Sequence, residues 1–285
     1  MMNIAENPTC TKPMLGVVLS LFDGMSCGQI ALNRAGISYG KYYASEIDKH
    51  AIKVTQHNYP DTIQIGSVTG VKGADLPQID LLIGGSPCQG FSFAGKGLNF
   101  DDPRSKLFFE FVRILKETKP KYFLLENVKM KQEFQDIISE QLGVKPILIN
   151  SSLVSAQNRE RLYWTNIPLQ CLPKDKGLFL KDIIEKGTGK KLSEQTAQRP
   201  RTLRNYRNEN QKAFCMLATM WKGSQSNGMT VIDDNGLRNI TPLECERLQT
   251  VPDNYTNVVA DTNRYTMLGN GWTVDVIANI FGGLY

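Results

Sequence analysis

The chain has 285 residues, 41% apolar and 21% charged, with a net charge of +5. That balance is ordinary for a globular protein and excludes a disordered or fibrous chain. No apolar run reaches the ~18–20 residues that a membrane-spanning helix needs. Six cysteines (10, 27, 88, 171, 215 and 245) form no Cys-x-x-Cys pair, and the histidines are His50 and His57. No metal centre is therefore expected, and the thiols read as reduced, in keeping with a soluble cytoplasmic protein.

Taken in chain order, residues 1–13 read as a polar leader without the basic and apolar segments of a signal peptide. MLGVVLSLF (14–22) is an apolar, β-branched strand that runs into the turn DGMSCG and the helix GQIALNRAG. YGKYYASEI (39–47) reads as a second strand, DKHAIKVTQHNY as a second helix, TIQIG (62–66) as a short third strand and IDLLIGG (79–85) as a buried fourth. SKLFFEFVRILKE (105–117) places Leu107, Phe108, Phe111, Val112 and Leu115 at helical spacing. KYFLLEN (121–127), KPILINSSLV (145–154) and RLYWTNI (161–167) read as strands five to seven, with a helix at 134–142.

This alternation predicts a doubly wound, mainly parallel α/β sheet with helices on both faces, whose ligands sit beyond the carboxyl ends of the strands. The pattern breaks after Pro168. Residues 169–237 are rich in Gly, Lys and Asn and read as a small second domain; regular structure resumes with TPLECERLQ (241–249) and the apolar helix TVDVIANIFG (273–282). The main domain is thus expected at 14–168 and 238–285. Between Lys186 and Lys212 eight basic residues face two acidic ones, a net +6, so the rest of the chain sums to about −1. Charge alone fits a solvated loop as well as an anionic partner.

Several residues carry chemistry at the strand ends. Gly24 and Gly28 follow the first strand and suit either a plain tight turn or a backbone cradle. Glu46, at the end of the second, suits a ribose hydroxyl or a helix N-terminus. The fourth strand ends in GGSPCQGFS (84–92), which sets Cys88 in a glycine-flanked loop. A cysteine taken at random is more often an inert buried thiol. The neighbouring Glu126-Asn127, a carboxyl that is costly to bury ionised, changes that balance. Arg159 and Arg161, two apart on an extended segment, share a face and fit a surface ion-pair cluster, a base carbonyl or a phosphate.

LFDGMSCG, SEID, GGSPCQGFS, DPRSKLFFEF, LLENV, QNRERLYW, RNITPLECERLQTVPDNY and MLGNGW follow one another in the chain. The series resembles the motif series of the DNA (cytosine-5) methyltransferases over about residues 15–167 and 238–285. It looks most like the bacterial and phage enzymes, and LSLFDG and KLFFEF are similar to the catalytic domains of the animal de novo enzymes. The resemblance implies a Rossmann-like methyltransferase fold with a small target-recognition domain at 169–237. It implies S-adenosyl-L-methionine as methyl donor, S-adenosyl-L-homocysteine as product, and a flipped cytosine of double-stranded DNA as substrate.

The roles that it implies fall on individual residues. Cys88 adds to C6 of cytosine, Glu126 holds N3 and the exocyclic amine, Arg161 contacts O2, and Arg159 supports the loop or a phosphate. Phe22, Gly24, Met25 and Ser26 in the first turn, with Glu46 and Ile47, go to the cofactor. So do Ser67 and Val68, Pro87, Leu107, and Asn270 and Trp272 in the tail. Gln89, Ser92, Arg104, Thr219, Lys222 and Arg238 go to DNA, and the loop 90–105 closes over it. Two departures stand out: Ser67 replaces the family's usual acidic residue, and Ser26-Cys27 replace glycines common in bacterial relatives.

Two rival readings are a tRNA cytosine methyltransferase, whose distinctive Cys-Phe-Thr is absent here, and a non-catalytic DNA-binding module, which has no use for Cys88, Glu126 and Arg161. A monomer or weak dimer is expected, in a bacterial or phage-infected cell. The sequence fits both a cognate restriction endonuclease as partner and a role alone in a phage or mobile element.

Overall fold

The computed structural model describes residues 14–87, 103–225, 229–233 and 236–284. At its centre lies a sheet of seven strands: β1 (Met14–Leu21), β2 (Ser38–Ser45), β3 (Ile63–Gln64), β4 (Leu81–Gly85), β5 (Tyr122–Val128), β6 (Ile147–Asn150) and β7 (Glu160–Thr165). Their order is β3-β2-β1-β4-β5-β7-β6. Within this sheet β7 alone runs against its neighbours β5 and β6. Strands buried on both faces need continuous apolar runs rather than alternation. Val18, Leu19, Leu21, Leu81, Leu82 and Ile83 meet that need and are fully buried.

The helices among the described residues are α1 (Cys27–Ala35), α2 (Lys49–Asn58), α3 (Pro103–Thr118), α4 (Gln132–Leu142), α5 (Glu194–Ala197), α6 (Pro200–Arg204), α7 (Pro242–Leu248), α8 (Asp261–Asn270) and α9 (Val274–Phe281). Ile30 and Leu32 of α1, Val54 of α2 and Ile277, Ile280 and Phe281 of α9 pack with Val18 and Ile83 on one face of the sheet. Phe108 and Phe111 of α3 and Ile138 and Leu142 of α4 pack with Leu19, Leu21 and Leu82 on the other. Successive strand residues thus feed opposite layers, as the pleat requires. The doubly wound expectation holds, and α9 brings the end of the chain back against α1.

All seven strands depart from their expected limits by one to four residues. The second ends at Ser45, so Glu46 lies just beyond it. The third keeps two residues. The sixth stops at Asn150, whose side chain accepts the Ser152 N–H (3.0 Å) and turns the chain into a 3-10 turn at Ser151–Leu153. Downstream, β8 (Tyr206–Arg207), β9 (Thr230–Asp233) and β10 (Gly236–Asn239) form a second sheet in the order β10-β9-β8. Met216, Met220, Met229 and Val231 of this region join the buried cluster of the main sheet. Among the described residues no helix is long and apolar enough to cross a membrane.

Candidate active site

A cavity of about 380 Å³ opens at the carboxyl edge of the main sheet. It is lined by the turn after β1, by Glu46 after β2, by Gly85–Pro87 at the end of β4, by Glu126–Val128 of β5, by Arg159 and Arg161, and by residues 267 and 269–272 of the tail. The parallel strands β1, β2, β4 and β5 each deliver one part at their carboxyl ends, and the reversed β7 brings its start to the same edge.

The turn after β1 is unusual backbone. Phe22 (φ 58°), Gly24 (φ 59°) and Ser26 (φ 63°) alternate in the left-handed region, which costs energy at the two non-glycine positions. At Gly24 nothing lies within 4 Å of where a Cβ would stand, so space for a ligand is left beside the backbone. Glu46 locks this turn. Its Oε2 accepts the Gly24 N–H (2.8 Å), and Oε1 accepts the N–H groups of Ile47 and Asp48 (2.7 and 2.8 Å). A carboxylate offers about four acceptor positions, so one remains on Oε2. The cap of α2 is Asp48, which accepts from His50 and Ala51, and not Glu46.

Asp23 was not singled out from sequence, yet it lines the same cavity. Tyr42 Oη donates to its Oδ1 (2.8 Å), while Oδ2 is buried without a hydrogen-bond partner. Burial pushes its carboxyl from 3.8 up to about 6. Cys27, next to the turn, is buried as well, and burial pushes its thiol up to about 12. It is chemically quiet.

Glu126 is held in the cavity wall by two side chains. Arg161 Nε lies 3.0 Å from its Oε1, and Trp272 Nε1–H donates to its Oε2 (3.1 Å). The register explains the first contact: Val128 pairs with Arg161 across β5 and β7, and Glu126 stands two residues back on the same face. Gly85 explains the second. A Cβ there would lie 2.8 Å from the Trp272 indole nitrogen and 3.0 Å from Glu126 Oε2. Asn127 is buried alongside and donates to Ser86 Oγ (3.0 Å).

The two arginines share a face, as their spacing predicts, but differ in work. Arg159 is buried and donates to the carbonyls of Met216 (2.9 Å), Gly269 (3.2 Å) and Gly271 (2.9 Å). It ties the start of β7 to the tail and to the segment after β8. Arg161 keeps its face toward the cavity and Glu126. Cys215 bridges them, its Sγ lying 3.4 Å from Arg159 Nη1 and 3.8 Å from Arg161 Nη2. Nothing in the Cys215 sequence context signalled this.

Of the residues assigned to the cofactor, Phe22, Gly24, Met25, Glu46, Pro87, Asn270 and Trp272 line the cavity. Ser26 is fully buried, donating to Asp23 and accepting from Gln29. Ile47 and Ser67 are exposed, Ser67 bonding Thr69 (2.9 Å), whereas Val68 and Leu107 pack in the layer of α3. Cys88, Gln89 and Ser92, with most of the loop 90–105, lie outside the described residues, and of Arg104 only the helical backbone is described. Thr219 is half-buried and Lys222 exposed.

Arg238 corrects an expectation. Assigned to DNA, it is instead 1% exposed and bonds both oxygens of Glu244 (2.7 and 2.9 Å) and the carbonyl of Glu185 (2.9 Å). It cannot reach an external phosphate without breaking a buried ion pair. Among the described residues no group of three or more His, Cys, Asp or Glu side chains is placed to hold a metal ion.

The doubly wound sheet, its reversed β7 and the cavity at its carboxyl edge define a Rossmann-like methyltransferase fold. A solved methyltransferase of Entamoeba histolytica shares it, with a TM-score of 0.81 at 18% identity over 95% of this chain and 99% of that one. The sequence matches the C-5 cytosine-specific DNA methylase family over residues 17–171 and 174–285, and the chain belongs to that family. It is 38% identical over 186 residues to the orphan methyltransferase M.SPRI of Bacillus phage SPR, covering 60% of this chain and 42% of that protein. It is 30% identical over 293 residues to the type II methyltransferase M.NgoBI of Neisseria gonorrhoeae, covering 91% of this chain and 90% of that one. The chain thus spans about two fifths of the phage relative's length.

Proposed function

We propose that the protein methylates carbon 5 of a cytosine flipped out of double-stranded DNA, with Cys88 as nucleophile. The observation that carries this reading is Glu126, fixed between Arg161 and Trp272 at the cavity wall, with Pro87 leading the chain from that wall to Cys88. A carboxyl so held can hydrogen-bond the N3 and amine edge of cytosine, and Arg161 has donors to spare for the O2 edge. The Cys88 sulfur adds to C6, which makes C5 nucleophilic; loss of the C5 proton and elimination of the thiol restore aromaticity and enzyme. Arg159 positions this edge rather than touching substrate.

S-adenosyl-L-methionine, when bound, supplies the methyl group and leaves as S-adenosyl-L-homocysteine. The open side of Gly24, the spare acceptor position on Glu46 and the cavity volume fit its adenosyl part. Residues 14–168 and 238–285 act as the catalytic part and 169–237 as the DNA-reading part, whose excess of basic residues suits phosphates. Bisulfite sequencing of DNA from cells that express the chain tests the proposal. A short methylated site is expected, lost on Cys88→Ser; unmethylated DNA with the unaltered chain overturns it.

A further inference from the structure

Arg207 contrasts with Arg238. On β8 of the small sheet, the Arg207 guanidinium carbon lies 3.4 Å from the centre of the Phe214 ring. Among the described residues no carboxylate or carbonyl takes its N–H groups, so its donors are free while its plane is held. Stacking of this kind removes much of the rotamer freedom that an arginine gives up on binding. The ring that holds it is 41% exposed, as is Leu217 at 42%. Phe214 and Leu217 belong to the wall of a cavity of about 300 Å³, shared with Arg204, Cys215, Met220 and Met229. Through Cys215 that cavity adjoins Arg159 and Arg161, and so the active-site cavity. A guanidinium serving only the fold is paired, as Arg238 is with Glu244. One stacked, unpaired and set on a regular element beside the site is preorganised for an external planar acceptor.

We propose that Arg207 reads a guanine of the recognition site, donating its fork to O6 and N7 in the major groove while Phe214 holds its plane. This rests on the proposed DNA methyltransferase activity and adds a specificity-determining residue to it. Arg is the side chain whose donor geometry matches the two acceptors of guanine, and a lysine lacks the fork.

The test joins two measurements. Bisulfite sequencing is done on DNA from cells expressing the unaltered chain, Arg207→Ala and Arg207→Lys. Binding of the purified proteins is then measured to duplexes in which each guanine of the site is replaced in turn by 7-deazaguanine, which lacks N7. Both variants are expected to accept other bases at one guanine position, with methylation of the original site down roughly 10–100-fold. The unaltered chain should lose affinity on deaza substitution at that same position, and the variants should be indifferent to it. Variants with an unchanged methylation pattern, or a uniform loss at every position with a shallower salt dependence, overturn the proposal, since the latter marks a phosphate contact. Variants as sensitive to 7-deazaguanine as the unaltered chain do the same. Unmethylated DNA from the unaltered chain overturns the underlying activity as well.

Discussion

Asp23 gives the most quantitative expectation. Its carboxyl is held at about 6 against an ordinary 3.8, chiefly because it is buried. Below pH 3.8 both folded and unfolded chains carry the proton; between 3.8 and 6 the folded chain alone keeps it; above 6 the fold bears the whole cost of a buried charge. Asp23 therefore contributes less to stability as pH rises through this window, opposite in sign to a paired carboxylate. At 1.36 kcal/mol per pH unit the full cost is about 3 kcal/mol, of which about 1.4 kcal/mol accrues between pH 5 and 7.5. Asp23→Asn removes the titration and keeps an acceptor for Tyr42. Urea unfolding of both proteins at pH 5 and 7.5 should show the variant gaining about 1.4 kcal/mol on the parent at the higher pH. A difference in stability that does not change with pH would refute the burial argument, whatever its absolute size.

Three further outcomes follow from the geometry. Arg161→Ala removes the ion-pair partner of Glu126 and should lower the single-turnover methylation rate by ~10²–10³-fold with the fold intact by circular dichroism; a change under about threefold would mean that Arg161 does not act on substrate. Gly85→Ala drives a methyl against the Trp272 indole and should cut that rate ~10–100-fold with little loss of stability; an unaffected rate would show that the Trp272–Glu126 contact is dispensable. Arg238→Met should destabilise by about 3–5 kcal/mol in denaturant unfolding, because it strands the buried Glu244, and adding Glu244→Leu should recover much of that loss. An Arg238→Met protein of normal stability but weak DNA binding would instead return Arg238 to the DNA surface.

Much of the site was legible in the chain. The apolar runs of β1 and β4 and the helical period of α3 declared a two-faced sheet, since strands covered on both sides cannot alternate. The turn after β1, Glu46, Glu126 and Trp272 stood at strand ends or in motifs, and the fold carries them to one edge because parallel strands share a direction. Arg159 and Arg161 were placed on a common face by the period of an extended segment alone.

Tertiary structure decided what lies far apart in sequence or depends on burial. That Asp23 is desolvated is a consequence of packing, and that Gly85 clears a path for Trp272 and Cys215 bridges two arginines are consequences of packing between residues 54 to 187 apart. Arg238 and Arg207 make the point most directly. Arg238 opens the motif that follows the small domain and Arg207 lies in the basic region, and neither context tells which of the two is paired. Packing of α7 sets Glu244 under the first, and the segment after β8 leaves the second stacked on Phe214 with its donors free. Sequence records which charges a chain carries; only the folded neighbours determine which of them are spent inside it.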